Sequence, residues 1–335
     1  MDNVPFAFCK HVCELLFMDY SRPSQAKELS GTYGEFSRLM FGYLAIYVCT
    51  VKDSRVLPGY VEYLSTGEQI KSPEEIEAVP KKHVRYVYIM LEDTANESAC
   101  REAVQRFPYA VQYNVLLRSS SISEAWVDSA CSWKRLWRVL INKKLDDKAL
   151  RLFQKAITGR KIFKLTIDPD ACEGGTLEIT KILLCQEQFD ELALLKPGGG
   201  GSKAPVRELL EFWSENSEKL TGKYVVVECT SGIEQLQEFL LKGAFSEDKE
   251  LNVSGLQKLL KVCPKEECDF IDKYYLHNHR TFTIPSCVYK YEEGEGVEQR
   301  RLHISFECGE SSVPSHERRP ANHEGQDALH LMRET

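Results

Sequence analysis

The chain has 335 residues, of which 43% are hydrophobic and 28% are charged, and its formal net charge is -7 at pH 7. The length allows about two domains with ample core, and the composition is that of an ordinary soluble globular protein. The negative charge argues against a general nucleic-acid-binding protein, which is usually basic. No apolar run approaches the ~20 residues that span a bilayer. Asp2 stands where a signal peptide carries positive charge, so we expect neither a membrane partner nor secretion.

The first predicted element is helical and lies within residues 1–42. Phe8, Val12, Leu15 and Leu16 fall on one helical face, and a second amphipathic segment follows within "AKELSGTYGEFSRLMF". Residues 43–83 then contain short strand patterns and a polar stretch, "KSPEEIEAVPKK". We therefore predict a helical module over 1–42 and a linker with short strands over 43–83.

Six short apolar segments follow at a nearly constant spacing. Amphipathic helical patterns lie between them, for example "DDKALRLFQKAI". The first of the paired apolar positions in each segment are 26, 26, 26, 27 and 33 residues apart: Val87, Tyr113, Val139, Leu165, Leu192 and Val225. A strand–helix unit of about 26 residues is in the range of leucine-rich repeats. The predicted fold is therefore α/β, a degenerate leucine-rich-repeat-like solenoid over residues 84–245.

The alternative is a doubly wound α/β domain, which also alternates strands and helices. Such a domain lacks a constant period and normally has a glycine-rich phosphate loop after its first strand. The segment "LEDTANES", which follows the first of the six strands, contains no glycine. The period and this loop favour the solenoid.

A run of four glycines, Gly198 to Gly201, lies between the fifth strand and the next helix. A P-loop requires Gly-Lys followed by Ser or Thr, but Lys203 is preceded by Ser202 and followed by Ala204. The glycines fall in the one unit that is 33 residues long. We interpret them as an insertion in a loop, with no nucleotide bound.

The C-terminal part is predicted to contain helices and a β-hairpin cap over residues 246–308. The hairpin is "SCVYKYEEGEGVEQRRLHISFE", two alternating strands around "EGEG". Residues 309–335 are rich in Ser, Pro, His and charge, and we expect them to be disordered.

Cysteine and histidine do not form a familiar reactive pattern. The twelve cysteines are scattered singly, as reduced cysteines of a cytoplasmic or nuclear protein would be. One set has the pattern C-x4-C-x8-H-x-H, whose histidine spacing does not match structural zinc sites: Cys263, Cys268, His277 and His279. Hydrolase and metalloprotease signatures are also missing from the sequence. We predict no enzyme activity, no metal and no cofactor.

The N-terminal helices resemble an F-box, the module that docks a receptor onto the Skp-family adaptor of a cullin ubiquitin ligase. Val4 and Pro5 match the opening pair of the family pattern, and "LSGTY" at 29–33 falls near its closing turn. With repeats and a final hairpin after it, the chain is similar to the large F-box-associated families of nematodes. The resemblance implies an adaptor-binding set: Val4, Pro5, Phe8, Val12, Leu15, Leu16 and Leu29. The alternative is that these helices only cap the solenoid.

The strands predict a second surface. In a solenoid, alternate strand residues enter the core and the intervening ones line the concave face. The intervening and flanking residues mix aromatic groups with both signs of charge, and we expect them to be exposed and to bind the target: Tyr86, Tyr88, Asn114, Arg138, Lys164, Thr166, Asp168 and Glu191. The sequence-based hypothesis is a substrate receptor of an SCF-type ubiquitin ligase that binds an adaptor and a protein target. The alternative is a repeat scaffold without a ubiquitin role.

Overall fold

A computed structural model describes residues 8, 12, 30–92, 97–133, 136–195, 204–227, 232–244, 260–271, 285–293, 300–307 and 329–332. The chain divides into two compact units. Unit 1 comprises Met1–Leu140 and Asp146–Ile162, and unit 2 comprises Ile141–Leu145 and Phe163–Thr335.

Helices and strands alternate through most of the described chain. The helices are α1 (Gly31–Tyr43), α2 (Pro73–Ala78), α3 (Glu97–Arg106), α4 (Glu124–Ser132), α5 (Asp147–Thr158), α6 (Gly175–Leu184), α7 (Val206–Asn216), α8 (Gly232–Ala244) and α9 (Lys265–Ile271). The strands are β1 (Ala45–Lys52), β2 (Arg55–Val56), β3 (Tyr60–Tyr63), β4 (Gln69–Ile70), β5 (Val84–Leu91), β6 (Gln112–Leu117), β7 (Leu136–Ile141), β8 (Lys164–Ile167), β9 (Glu191–Leu194), β10 (Tyr224–Val227), β11 (Lys261–Val262), β12 (Pro285–Glu293), β13 (Arg300–Glu307) and β14 (Leu329–Met332).

The α/β class is confirmed, and each of the six predicted apolar segments forms a strand, β5 to β10. Within the units β5 is parallel to β6, and β9 is parallel to both β8 and β10. The predicted core pairs are buried except for Val225, which is half-buried: Val87 and Ile89, Tyr113 and Val115, Val139 and Ile141, Leu165 and Ile167, Leu192 and Leu194, Val225 and Val227. Period-two alternation places both members of a pair on the same face of a strand, which is why the pattern identified them.

The sheet of unit 1 has the order β7-β6-β5-β1-β3-β4, and β2 also pairs with β1. Strand β1 is parallel to β5 and antiparallel to β3. Helix α3 packs on one face of this sheet, where the Phe107 ring just after the helix lies 4.7 Å from that of Tyr47. Residues 43–83 are therefore part of the sheet rather than a linker, because the apolar strand β1 is hydrogen-bonded on both sides.

The sheet of unit 2 has the order β11-β12-β13-β14-β10-β9-β8. The predicted hairpin is confirmed as β12 and β13, which pair antiparallel. Strand β14 is antiparallel to both β13 and β10. The expectation of disorder is thus wrong for residues 329–332, which form β14; the other residues of 309–335 lie outside the described part of the chain.

Both faces of the unit 2 sheet are covered. The face to which Tyr224 points, here called the front face, is packed by Cys263 and by Ile271 of α9. On the back face, Tyr291 of β12 lies between Trp213 of α7 and Phe239 of α8, with ring centroids 6.5 and 6.4 Å away. Strands β8 and β9 are accordingly buried along their whole length.

Candidate functional site

Four side chains form a row across the sheet of unit 1. Val48 of β1 pairs in register with Tyr60 of β3 and with Tyr88 of β5, and Tyr88 pairs with Asn114 of β6. Residues directly opposite one another on neighbouring strands share a face of the sheet. Val48 is buried, whereas the other three are half-buried and reach solvent. We call these four residues the open row.

The face becomes more accessible towards the carboxyl ends of β1 and β5. In the row before the open row, Ile46, Tyr86 and Gln112 are buried. In the row after it, Thr50 and Met90 are half-buried, whereas Leu116 of β6 is buried. Ligands of α/β sheets commonly bind beyond the carboxyl ends of the parallel strands. The open row therefore lies on the side of the sheet where a partner has access.

Charged groups flank the open row unequally. Burial raises the pKa of the Tyr88 hydroxyl, while the positive charges of Arg138 and Arg118 act in the opposite direction. Burial also raises the pKa of Tyr60, and the negative charge of Glu62 adds to this effect. The guanidinium groups of Arg138 and Arg118 thus lie near Tyr88, and the Glu62 carboxylate lies near Tyr60.

Two amides on this face contain buried polar atoms that have no hydrogen-bond partner within the described part of the chain. They are Oδ1 of Asn114 and both side-chain polar atoms of Gln112. Leaving a buried polar group unsatisfied costs about 1–3 kcal/mol. Asn114 as a whole is half-buried and belongs to the open row, but its Oδ1 is itself buried.

The predicted target-binding set is divided by the structure. Tyr88, Asn114, Arg138 and Asp168 are half-buried. The expectation of exposure is wrong for the other four members, which are buried: Tyr86, Lys164, Thr166 and Glu191. The three in unit 2 lie on β8 and β9, where both faces of the sheet are covered. Asp168 has a local role, since its Oδ1 accepts a hydrogen bond from the Asp170 N–H at 3.0 Å and caps a 3-10 turn.

Three buried residues of unit 2 with polar groups contact one another. Lys164, Glu191 and Tyr224 are in register on β8, β9 and β10. Lys164 Nζ lies 2.7 Å from Glu191 Oε2, and the Tyr224 hydroxyl donates to the same oxygen at 2.5 Å. The Lys164 and Glu191 side chains are only 5% and 1% exposed. We call these three residues the buried triad; it offers no surface to a partner.

Sequence reasoning missed three residues that extend the open face, Tyr60, Thr50 and Met90. Tyr60 and Thr50 lie in the stretch interpreted as a linker. The alternation of "GYVEYL" and "AIYVCTVK" was a usable signal, because a strand beside β5 must place every second residue on the same face as Tyr88.

The predicted adaptor-binding set lies mostly outside the described residues, namely Val4, Pro5, Leu15, Leu16 and Leu29. Phe8 and Val12 are described as helical. The Phe8 side chain is 54% exposed, and Val12 is half-buried. Residues four apart lie on one side of a helix, so an accessible apolar side chain is present at the predicted position.

Three buried cysteines have properties unlike those of nucleophiles. Burial raises the pKa of Cys49, Cys100 and Cys172 to about 12 in each case. Since the thiolate is the reactive species, these thiols are inert near neutral pH. Two residues of the C-x4-C-x8-H-x-H pattern, His277 and His279, lie outside the described residues. The predicted loop insertion Gly198 to Gly201 also lies outside them.

Comparison with known proteins identifies no relative: no family model matches the chain, and neither a curated protein nor a solved structure matches it. None of the described helices is both long and apolar enough to cross a membrane. By its fold the chain is an α/β protein with a parallel-rich sheet, and its candidate site is a half-exposed face of strands.

Proposed function

We propose that the chain is a non-catalytic protein-recognition subunit that binds a protein target through the open row. The observation that carries this proposal is the composition of the row: two half-buried tyrosines, the half-buried Asn114 and the nearby guanidinium of Arg138. Tyrosine and arginine are enriched among the residues that dominate binding energy at protein interfaces.

The target is a polypeptide segment that lies across β1, β5 and β6. Tyrosine offers apolar area together with a hydroxyl and loses little side-chain entropy on binding. Arg138 and Arg118 raise the positive potential beside Tyr88, and the Arg118 guanidinium pairs with Glu92 at 2.6 Å. We therefore expect a target segment with carboxylates near the β6–β7 side of the row.

The wider proposal is that the chain is a substrate receptor of an SCF-type ubiquitin ligase, acting in the cytoplasm or nucleus. The F-box resemblance of the N-terminal residues and the 54% exposure of Phe8 support it. The period of the strand–helix units and the parallel pairing of β8, β9 and β10 support a leucine-rich-repeat-like solenoid as the target-binding domain. Ubiquitin transfer would be performed by other subunits, and this chain would perform no chemistry.

The target-binding part is tested with two single variants of the full chain. Tyr88→Ala and Arg138→Ala should each weaken binding of the co-purifying target by about 1–3 kcal/mol. Tyr109→Ala and Arg151→Ala are matched controls, because both residues are exposed in unit 1 and neither belongs to the open row. Equal losses in the controls, or unchanged binding in both row variants, would contradict the proposal.

The adaptor-binding part is tested separately. Replacement of Phe8 and Val12 by Asp should abolish co-purification of a Skp-family adaptor while target binding and the thermal transition of the repeats persist. If the wild-type chain never co-purifies an adaptor but still binds its target through Tyr88, the chain is a protein-interaction scaffold without a ubiquitin role. If the double variant unfolds the whole chain, the N-terminal helices act as a cap.

A further inference from the structure

Three side chains of unit 2 with metal-binding atoms converge at the front face of its sheet. Cys263 follows β11, Glu267 lies in α9, and His303 lies in β13. The thiol sulfur, a carboxylate oxygen and an imidazole nitrogen of these residues all lie within 4.8 Å of one another. Cys263 and His303 are buried, and Glu267 is half-buried. The cluster is thus largely shielded from water but can be reached from the side of Glu267.

The register of the hairpin explains the convergence. His303 of β13 pairs with Lys290 of β12, and Lys290 pairs with Lys261 of β11. His303 and Lys290 therefore point to the same face. The chain turns after β11 at Cys263 and begins α9 at Lys265. This turn places Glu267 in the first turn of a helix whose last residue, Ile271, packs on the same face.

The carboxylate of Glu267 is prepared to act as an anionic ligand. The ammonium group of Lys290 donates hydrogen bonds to this carboxylate and fixes its position. Lys290 Nζ lies 2.9 Å from Oε1 and 3.2 Å from Oε2, and His303 Nε2 lies 3.7 Å from Oε2. The ammonium group is therefore close to both oxygens, and Oε2 is also close to the imidazole.

We propose that Cys263, Glu267 and His303 bind a zinc-class divalent cation. One sulfur, one nitrogen and one oxygen ligand suit Zn²⁺, which binds such atoms at about 2.0–2.3 Å in tetrahedral geometry. Tetrahedral ligands at those distances are about 3.5 Å apart, close to the 3.7 Å between His303 and Glu267. Small side-chain movements bring the Cys263 sulfur to the same distance, and water takes the fourth position.

The charges and protons balance in the bound form. The Cys263 thiol releases its proton to solvent when the sulfur–metal bond forms. The resulting thiolate and the Glu267 carboxylate together offset the two positive charges of the ion. When Oε2 binds the metal, Lys290 gives up its longer hydrogen bond to that oxygen and keeps the 2.9 Å hydrogen bond to Oε1, which orients the ligating carboxylate.

The ion would connect α9 and the β11 turn to β13, which are far apart in sequence. A ligand that binds only the folded state stabilises it, so zinc should raise the unfolding temperature of unit 2.

The sequence pattern C-x4-C-x8-H-x-H contains Cys263 but combines it with Cys268, His277 and His279 instead of Glu267 and His303. The sequence did not indicate His303 as a ligand, because it lies 40 residues after Cys263, in a strand that the sequence predicted only from its alternation.

The test uses the full chain, stripped of metal by a chelator and titrated with Zn²⁺ against a chromophoric competitor. We expect one equivalent to bind. X-ray absorption at the zinc edge of the wild-type complex should then show one sulfur at about 2.3 Å and nitrogen or oxygen at about 2.0–2.1 Å. A shell of several sulfurs, a shell without sulfur, or no bound zinc would overturn the proposal. This measurement needs no variant.

Single substitutions of the three proposed ligands test whether the ion binds at this site. Cys263→Ser, His303→Gln and the isosteric Glu267→Gln should each lower zinc affinity by more than the roughly 10–100-fold that losing a hydrogen bond to a ligand costs. Cys172→Ser is the matched control, because Cys172 is also a buried cysteine of unit 2 and should leave affinity unchanged. Retention of full affinity by Glu267→Gln and Cys263→Ser would place the ion elsewhere and overturn the assignment.

Discussion

The two units carry comparable rows of strand residues with opposite exposure. In unit 1 the open row presents Tyr60, Tyr88 and Asn114 to solvent, whereas in unit 2 the buried triad lies in register on three parallel strands and is almost inaccessible. The difference arises from what packs on each face. Cys263 and α9 cover the front face of unit 2, while the described packing of α3 in unit 1 lies on the face opposite the open row.

The difference between the two units shows that the alternation of residues in a strand does not determine which side chains are exposed to solvent. The three residues of the buried triad satisfy one another, because Lys164 and Tyr224 both bind Glu191. The amides of unit 1 contain polar atoms that no described residue satisfies. A buried polar group with partners stabilises the fold, and one without partners costs stability. The first arrangement indicates a structural role, and the second indicates a local cost in stability within unit 1.

The largest expected effect comes from breaking the buried triad. Glu191→Gln leaves the Lys164 ammonium buried without its counter-charge, which should lower the free energy of unfolding by about 3–5 kcal/mol. Urea-induced unfolding at neutral pH measures this change. The control is Glu173→Gln, because the Lys144–Glu173 pair of the same unit is 60% and 64% exposed. Breaking this exposed pair should cost no more than about 1 kcal/mol.

Removing both charges of the triad gives a sharper result. The double variant Lys164→Met and Glu191→Gln should be closer to the wild type in stability than either single variant, because no buried charge is then left alone. If Glu191→Gln costs no more than Glu173→Gln, the buried triad does not stabilise the sheet, and the contrast between the two units fails.

A smaller effect of opposite sign is expected in unit 1. Gln112 is buried and its amide has no partner within the described residues, so Gln112→Met should raise the free energy of unfolding by about 1 kcal/mol. The matched control is Gln235→Met in unit 2. The Gln235 amide donates to the Ala204 carbonyl at 2.9 Å and accepts from the Arg207 N–H at 3.1 Å. The same substitution there should be destabilising, and equal effects at both sites would contradict the comparison.

The sequence predicted the positions of the strands better than it predicted which strand residues are covered by other parts of the chain. Alternation with period two located β5 to β10, their core pairs and the β12–β13 hairpin, because this pattern follows from the geometry of one strand. It could not show that Cys263 and Ile271 pack against Tyr224, because that contact joins residues 39 and 47 positions apart. The alternation of β8 and β9 likewise gives no information about what packs over them, so Lys164 and Glu191 were expected at the surface.

The same limit applies to the sites. Tyr88, Asn114 and Arg138 were predicted because strand alternation alone places them between core residues. Tyr60 belongs to the open row because β1 and β3 pair antiparallel. The spacing of the strand–helix units does not predict this pairing. His303 joins Cys263 and Glu267 only through the hairpin register. Long-range pairing therefore explains why the sequence located some members of each site and missed others.

The smallest expected effect concerns a histidine at the start of β5 in unit 1. The His83 ring stacks on Tyr43 of α1 with centroids 5.0 Å apart. Its Nδ1 is buried without a partner among the described residues. Burial lowers the pKa of His83, and the charge of Lys82 lowers it further. The folded state therefore holds this imidazole neutral at pH values where the unfolded chain, with a pKa of about 6.5, begins to protonate it.

The sign of the pH effect follows from proton linkage. Below about pH 6.5 the unfolded state binds more protons at His83 than the folded state, so stability falls as the pH decreases towards the folded pKa. His83→Phe keeps a ring against Tyr43 but cannot titrate, and it should flatten this part of the profile. Lys82→Met should weaken the dependence without removing it, since burial is the larger cause. Urea unfolding at about pH 7.5 and about pH 5.5 measures all three chains. An unchanged pH dependence in His83→Phe would show that the stack at the start of β5 does not couple protonation to the stability of unit 1.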